Sequence, residues 1–435
     1  MDSRLYKYSR RCTFPYLHGV YLAANAIPDV HLLIDAPQCA FNKAEQFFGT
    51  HDLVSTLLDS GTRHRVVHTR MHVDNVVDGN KGLFLESFKA LVDAPFVDVI
   101  LLSAFPMAVI IGTPYDNWMS EVPGSDSKLV IQVPGKSLEE DWLVGYAETL
   151  KALAARLRLP DARPDPSRVA IVGYLMDRNE EDHRGNVREL TRLLGRLGLK
   201  LVSTWLSGED TRTLGRAAEA GTLLAFPRGR EAARILAKRT GATVIDCDLP
   251  FGMEGTSAWL RRVGEACGRT PEAERIIAEE VAEIAPRMKW LILKRLVNAR
   301  LAFLGDPDLI PGFCGIARYI GASVPLLGAW CLRPPAWPEG FDPPVEVRIN
   351  DSTGALTEQF AALKDDIDLV IGNSRLTVDC CLPHDIGFME FGFPSLRYHA
   401  VFDAPFLGYR GFACFVNRIA NQFQDLDIRE DMVDW

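Results

Sequence analysis

Short apolar runs rich in β-branched residues alternate along this chain with longer segments of helical periodicity, and this alternation most restricts the fold. The runs form three sets, at 30–35, 97–104 and 128–133, at 169–174, 201–206, 222–226 and 243–247, and at 300–305, 324–330, 368–373 and 388–392. Such runs predict buried parallel strands joined by right-handed helical crossovers. In folds of this kind, ligands bind beyond the carboxyl ends of the strands.

Two breaks separate the three sets of strands. A Pro-rich stretch lies at 159–167, and a charged amphipathic segment at 270–300 predicts one or two connecting helices. The 435 residues also exceed a single ordinary core of about 100–200 residues. We therefore predict three α/β domains, at 1–160, 161–285 and 286–435. The C-terminal helices of the third domain are expected to return to the first domain.

The composition is that of an ordinary globular protein, with 47% apolar and 24% charged residues. The net charge of −9 and the absence of a Lys/Arg stripe argue against a nucleic-acid partner. The N-terminus has no apolar signal segment, and no apolar run reaches the roughly 18 residues that span a bilayer. We therefore expect a cytoplasmic protein that uses no membrane, whose nine cysteines are thiols or metal ligands rather than disulfides.

Two cysteines stand at junctions between predicted elements. Cys12 precedes a helical pattern, and Cys39 follows the strand 30–35 across the turn DAPQ. Iron–sulfur clusters need thiolate ligands, and a loop beyond a strand end can direct a thiolate to a shared site. Their wide spacing matches no local cluster signature, so two structural cysteines remain the alternative on spacing alone.

Two further groups could bind metal but have simpler explanations. Cys380 and Cys381 lie close to His384, yet adjacent thiols point in different directions, and core packing is the favoured interpretation. Three histidines recur at helical spacing and could form a metal or proton-relay stripe: His64, His68 and His72. The β-branched residues between them favour solvent or interface histidines instead.

The region around Cys12 and Cys39 resembles the start of nitrogenase component 1 subunits, in which an HGP.GC-like turn, here DAPQC, precedes a ligand cysteine. Further landmarks resemble this family in the same order, at 68–91, 100–116, 131–153, 249–264 and 392–423. The segment LPFGMEGTSAWLRRVG is especially similar to the N subunit of dark-operative protochlorophyllide reductase. The resemblance implies three doubly wound, Rossmann-like parallel-sheet domains around a central cleft. It also implies a heterotetramer with a second component 1-like subunit, with a homodimer as the alternative.

The resemblance implies that Cys12 and Cys39 bind an iron–sulfur cluster of the four-iron, four-sulfur type or larger. A cubane needs about four protein ligands, but Pro106 stands where a third cluster cysteine usually lies. The cluster would therefore be shared across a subunit interface, or Asp35 would add an oxygen ligand. An aspartate replaces one thiolate in the protochlorophyllide reductase relatives, which gives Asp35 a precedent.

A second departure concerns the catalytic metal cofactor of nitrogenase. Ala225 and Phe226 occupy the place of its cysteine ligand, which makes dinitrogen an unfavoured substrate. A tetrapyrrole double bond, or another small unsaturated or sulfur-containing molecule, fits better. His399, nine positions before Gly408, resembles the family's histidine and is the candidate catalytic residue. The alternative is a hydrogen-bonded histidine that lines an interdomain cleft.

These observations predict a subunit of a nitrogenase-like iron–sulfur reductase that reduces a substrate in an interdomain cleft. Since the chain has neither a GxGxxG nor a GxxxxGK(S/T) loop, electrons and ATP would come only through a partner, an ATP-dependent iron-protein reductase. Two alternatives remain open. The chain could be a scaffold on which a metal cluster is assembled, or a cluster-free structural subunit of a heteromeric reductase.

Overall fold

The structure is a computed structural model that describes residues 11–45, 47, 49–58, 64–72, 74, 75, 79–373, 381–384 and 386–433. Its contacts divide the chain into two units. The N-terminal unit comprises Pro15–Asn179 and Leu201–Asp246. The C-terminal unit comprises the described residues of Met1–Phe14, Glu180–Lys200 and Cys247–Trp435.

Thirteen strands of the described residues form three sheets, whose orders are β2-β1-β3-β4, β6-β5-β7-β8 and β11-β10-β9-β12-β13. Every strand pair with a determined register is parallel. Their bounds are β1 Val30–Asp35, β2 Val66–His68, β3 Val99–Ala104, β4 Leu129–Gln132, β5 Asp165–Val172, β6 Lys200–Thr204, β7 Ala220–Ala225, β8 Thr243–Asp246, β9 Arg300–Gly305, β10 Ser323–Ala329, β11 Val347–Ile349, β12 Leu369–Gly372 and β13 Gly387–Glu390.

Helices connect these strands and cover the sheets. Their bounds are α1 Tyr16–Asn25, α2 Cys39–Glu45, α3 Lys81–Asp93, α4 Pro106–Ile111, α5 Tyr115–Ser120, α6 Trp142–Arg156, α7 Glu181–Arg196, α8 Thr211–Gly215, α9 Arg230–Thr240, α10 Gly252–Ala266, α11 Thr270–Leu291, α12 Ile310–Ile320, α13 Thr353–Leu363 and α14 Gly408–Val433. A π-helical turn, Ile292–Leu296, follows α11 directly. Three parallel sheets with covering helices make this an α/β fold of Rossmann-like type.

The first sheet carries the strand that ends at Asp35. Strands β1 and β3 are buried at every position, as expected for central strands of a parallel sheet. Helix α3 packs an apolar face onto this sheet. Its Phe84 and Phe88 join Leu33 of β1 and Ile100 and Leu102 of β3 in one buried apolar cluster. This packing fixes the strand from whose carboxyl end the Cys39 loop leaves.

Helices α1 and α6 cross in direct backbone contact within the N-terminal unit. A Cβ atom built on Gly19 would lie 1.8 Å from the carbonyl oxygen of Trp142, and one on Gly145 would lie 2.1 Å from that of Tyr16. Only glycine fits at either position, because no real Cβ comes so close to a backbone oxygen. Tyr21 of α1 then donates from its hydroxyl to the carbonyl of Ala40 at 2.6 Å, which ties α1 to the start of α2.

The strands predicted from apolar runs are confirmed to within a few residues at their ends, and the segment at 270–300 does form a connecting helix. Two short strands, β2 and β11, escape the apolar pattern. The alternative of a helical histidine stripe, which the sequence disfavours, is excluded because His68 lies in strand β2. Cys380 lies outside the described residues. The three domain boundaries stay a prediction beside the two contact-defined units.

No helix in the described part of the chain combines the length and the apolar character needed to cross a bilayer.

Candidate functional site

Asp35 lies at the carboxyl end of β1 and is fully buried. Its Oδ1 accepts hydrogen bonds from the hydroxyl of Thr69 at 2.7 Å and from the amide of Asn80 at 2.5 Å. Its Oδ2 accepts one from the Tyr115 hydroxyl at 2.8 Å. Both oxygens are therefore occupied, which is the arrangement of a structural carboxylate that ties the end of β1 to Thr69, Asn80 and Tyr115. A role of Asp35 as an iron ligand stays a prediction.

Burial raises the pKa of Asp35 above its usual value of 3.8, although the hydrogen bonds from Thr69, Tyr115 and Asn80 oppose this shift. Because the folded chain binds the Asp35 proton more tightly than the unfolded chain does, protonation of Asp35 stabilises the fold. This stabilisation is complete at a pH below the pKa of the unfolded chain, and it is lost as the pH rises through the pKa of the folded chain. Asp35→Asn is therefore expected to gain stability relative to the natural chain as the pH rises from about 4 toward neutrality. Urea unfolding across this range measures the difference, and a difference independent of pH would contradict the assignment.

Cys39 is the first residue of α2 and its side chain is exposed. The turn before it is closed by two backbone hydrogen bonds, from Ala40 to Pro37 and from Phe41 to Gln38. The thiol therefore stands on a short, hydrogen-bonded turn beyond the carboxyl end of a central strand. This is the place that the sequence predicts for it and the edge of the sheet at which ligands of such folds bind.

Two histidines lie against the helix that Cys39 begins. The ring of Phe41 is 5.5 Å from that of His64 and 5.7 Å from that of His68. Burial, followed by the nearby Arg70 guanidinium, lowers the pKa of His68. His64 is exposed, as is His72, whose backbone N–H donates to Asn75. These contacts agree with surface histidines rather than a row of ligands.

Cys12 belongs to the C-terminal unit and its side chain is fully buried. Its backbone N–H donates to the carbonyl of Asp351 at 2.9 Å, and Arg11 forms an antiparallel bridge with Ser352. The segment is thereby fixed beside the loop that follows β11. Since Cys39 belongs to the N-terminal unit, the two candidate ligands are held by separate units, and their convergence on one cluster stays a prediction.

The described residues do not by themselves bring a complete set of metal ligands together, and a cluster shared with a second subunit stays a prediction. Within the described residues, no group of three or more His, Cys, Asp or Glu side chains is placed to hold a metal ion. Pro106, at the family's third cysteine position, is the first residue of α4, where proline is favoured. Ala225 ends β7, and Phe226 beside it is fully buried. Neither side chain has an atom that could bind the catalytic metal cofactor.

His399 forms a closely bonded pair with a carboxylate that the sequence does not predict. Its Nδ1 lies 2.6 Å from Oε1 of Glu180, which directly precedes α7. The His399 side chain is 21% exposed and that of Glu180 is 4% exposed. A carboxylate at Nδ1 orients the ring and selects the tautomer, which leaves Nε2 for a proton or a ligand.

The backbone around His399 is held by the same carboxylate and by a second one. Oε2 of Glu180 accepts the N–H of Ala400 at 2.9 Å. Glu390, at the end of β13, accepts the N–H groups of Leu396 at 2.6 Å and Arg397 at 2.9 Å, and also that of Tyr398. Two buried carboxylates therefore hold consecutive stretches of the loop that carries His399.

Helix α7 fastens the remainder of this loop. Asn186 accepts the backbone N–H groups of Phe406 at 2.7 Å and Leu407 at 2.8 Å. A Cβ on Gly408, whose φ is +77°, would lie 2.4 Å from Cγ of Glu189, so the close approach requires glycine. These partners lie more than 200 residues apart in the sequence, and no local pattern there could have paired them.

A family model described as nitrogenase component 1 type oxidoreductase matches residues 15–424. The vanadium-iron nitrogenase beta chain of Trichormus variabilis is 28% identical over 222 residues, which cover 47% of this chain and 46% of that protein. The light-independent protochlorophyllide reductase subunit N of Rhodopseudomonas palustris is 25% identical over 248 residues, or 57% of this chain and 53% of that protein. The chain thus spans about half the length of the curated relatives it matches.

Among solved structures, nitrogenase Cp1 at pH 6.5 superposes with a TM-score of 0.80 at 17% identity, covering 97% of this chain and 94% of that chain. At this identity the likeness shows the fold. The match of the family model extends over nearly the whole sequence. The chain belongs to the family of nitrogenase component 1 type oxidoreductases.

Proposed function

We propose that this chain is one subunit of a nitrogenase-like iron–sulfur reductase that receives electrons from an ATP-dependent iron protein and reduces a small molecule beside His399. Family membership over residues 15–424 is the observation that carries this proposal. The exposed thiol of Cys39 at a sheet edge and the carboxylate-bound His399 supply the chemical groups that such a subunit needs.

Cys12 and Cys39 would hold the cluster together with ligands from a second component 1-like subunit. When bound, such a cluster supplies single electrons at a low potential that ligation and burial set. The exposed position of Cys39 suits a ligand shared across a subunit boundary, because a partner can reach it without disturbing β1. The three hydrogen bonds to Asp35 hold the end of β1, from which the turn toward Cys39 leaves.

His399 would deliver a proton to the substrate from Nε2. The buried carboxylate of Glu180 holds the ring through Nδ1, which orients the ring and leaves Nε2 as the nitrogen that hands over a proton. Reduction of a double bond consumes two electrons and two protons, and His399 would supply one of these protons. Since the ring is 21% exposed, water can return a proton to it between turnovers.

Replacing Cys39 by serine tests the proposed ligand role. We expect anaerobically co-expressed complex to contain about four iron atoms per subunit pair, and the Cys39→Ser complex to lose most of this iron and its absorbance near 400 nm. Cys267→Ser is the matched control, because Cys267 is a half-exposed thiol outside the proposed ligand set. Equal iron contents in the Cys39→Ser complex and the natural complex would overturn the ligand role.

A cluster-free structural subunit is the second candidate, favoured by Pro106 and by the hydrogen bonds that occupy both Asp35 oxygens. In that case neither Cys39→Ser nor Cys12→Ser would change iron content or activity.

A scaffold subunit would bind iron as the reductase does. It would pass that iron to an apo-enzyme and would not consume reductant with ATP, so an iron-transfer assay beside a turnover assay separates the two.

A further inference from the structure

A cavity of about 520 Å³ opens in the C-terminal unit between α10 and α12. Leu249, Phe251 and Pro338 complete its apolar walls. This volume lies within the range of about 300–1,000 Å³ that is usual for small-molecule sites. Neither His399 nor Cys12 lines this cavity, so an occupant would bind apart from the groups of the proposed reductase chemistry.

One face of α10 lines the cavity along most of its length, with residues at three- and four-residue spacing: Gly252, Gly255, Trp259, Arg262 and Glu265. Gly315, on the opposite helix α12, also lines the cavity. A Cβ atom built on Gly315 would have no neighbour closer than 3.8 Å. A Cβ on Gly312 would instead lie 2.7 Å from Phe251, so that glycine serves the helix contact. The missing side chain at Gly315 therefore leaves open space beside α10.

Two polar features of α10 lack partners. Trp259 is 3% exposed, and its indole N–H has no hydrogen-bond acceptor in the described part of the chain. Helix α10 also begins at Gly252 without a side-chain cap. A buried unpaired donor is costly, and an uncapped helix N-terminus attracts acceptors and negative charge. The indole N–H is shielded even from water-sized contact, so an occupant of the cavity does not reach it, whereas the uncapped start of α10 at Gly252 favours an occupant that carries hydrogen-bond acceptors.

One side chain at the rim, Arg262, favours a negative charge on the occupant. Arg318 pairs with Glu254, and Arg261 pairs with Glu274 outside the cavity. Arg262 is exposed and forms no ion pair with any residue that the structure describes. Glu265 lies one turn further on and disfavours a second negative charge. Asp248 also lines the cavity, but it already interacts with another group of the chain.

We propose that this cavity binds a mainly apolar small molecule with one negative charge and at least one hydrogen-bond acceptor. Its apolar part lies along Gly255 and Trp259, opposite Gly315, and its charge faces Arg262. This site is independent of the proposed reductase reaction, and its occupant is neither an electron donor nor the molecule that is reduced beside His399.

The test uses the full chain and two fluorescent probes of matched shape. These are 8-anilinonaphthalene-1-sulfonate, which is anionic, and N-phenyl-1-naphthylamine, which is neutral. We expect the anionic probe to saturate one site and to bind more tightly than the neutral one. Arg262→Gln is expected to weaken the anionic probe by about 10-fold, the usual contribution of a charge-assisted hydrogen bond, and to leave the neutral probe nearly unchanged.

Gly315→Leu fills the cavity without changing any charge and is expected to weaken both probes by at least about 10-fold. Gly195→Leu is the matched control, because Gly195 is an exposed helical glycine with no neighbour within 4 Å of its Cβ position. Circular dichroism confirms that each variant is folded. If Gly315→Leu fails to fold, Arg262→Gln decides alone. The proposal is overturned by non-saturable binding to the natural chain, by Gly315→Leu binding like Gly195→Leu, or by Arg262→Gln weakening both probes equally.

Discussion

His399→Ala is expected to lower the turnover rate of the proposed reductase complex by about 100- to 10,000-fold, the contribution usual for a positioned acid–base group. The reason is local, since the ring is held at Nδ1 by the buried Glu180 and presents Nε2 alone. No cluster ligand is removed, so iron content should not change. ATP-dependent oxidation of dithionite in the presence of substrate, set beside iron content, measures both expectations.

The partner of His399 provides a second readout. Glu180→Gln keeps the size of the side chain but replaces the carboxylate that orients the ring through Nδ1, so turnover should fall, by less than in His399→Ala. His72→Ala serves as the control, because His72 is an exposed histidine of the N-terminal unit. If the His399→Ala complex turned over within twofold of the natural complex, a proton-donor role for this histidine would be excluded.

Gly19→Ala is expected to lower the free energy of unfolding by about 3 kcal/mol, the upper part of the usual range for an overpacked contact. The added Cβ would lie 1.8 Å from the carbonyl oxygen of Trp142, so α1 and α6 must separate. Helix α1 also carries Tyr21, whose hydroxyl bonds the carbonyl of Ala40 beside Cys39. Loss of the crossing should therefore loosen the Cys39 turn as well.

Urea unfolding followed by circular dichroism measures this effect. Gly82→Ala is the matched control, since Gly82 lies in α3 with no neighbour within 4 Å of its Cβ position. It should stabilise the protein by about 0.5–1 kcal/mol through helix propensity. Equal unfolding midpoints for Gly19→Ala and Gly82→Ala would show that α1 and α6 do not meet as the structure has them.

The apolar runs predicted the sheets because a buried parallel strand is apolar on both faces. Strands β1 and β3 are buried at all six positions each and could hardly be missed. The short β2 escaped detection because Val66–His68 stands among charged residues, and its pairing depends on β1 rather than on its own composition. Length and burial together explain which strands the pattern revealed.

The candidate site was predicted less completely. The position of Cys39 beyond a strand end follows from local order along the chain and is confirmed by the structure. The partners of His399 and Asp35 do not follow, because Glu180 lies 219 residues from His399 and Tyr115 lies 80 residues from Asp35. One carboxylate among the 57 acidic residues of the chain cannot be assigned to one histidine without tertiary contacts.

The iron stoichiometry of three variants tests most directly whether the thiols of Cys12 and Cys39 serve one cluster. Cys12→Ser, Cys39→Ser and the double variant are purified without oxygen together with the second subunit. If one cluster uses both thiols, each single variant loses as much iron as the double variant, about four atoms per subunit pair. Full iron in either single variant, or losses that add in the double variant, would contradict a shared cluster.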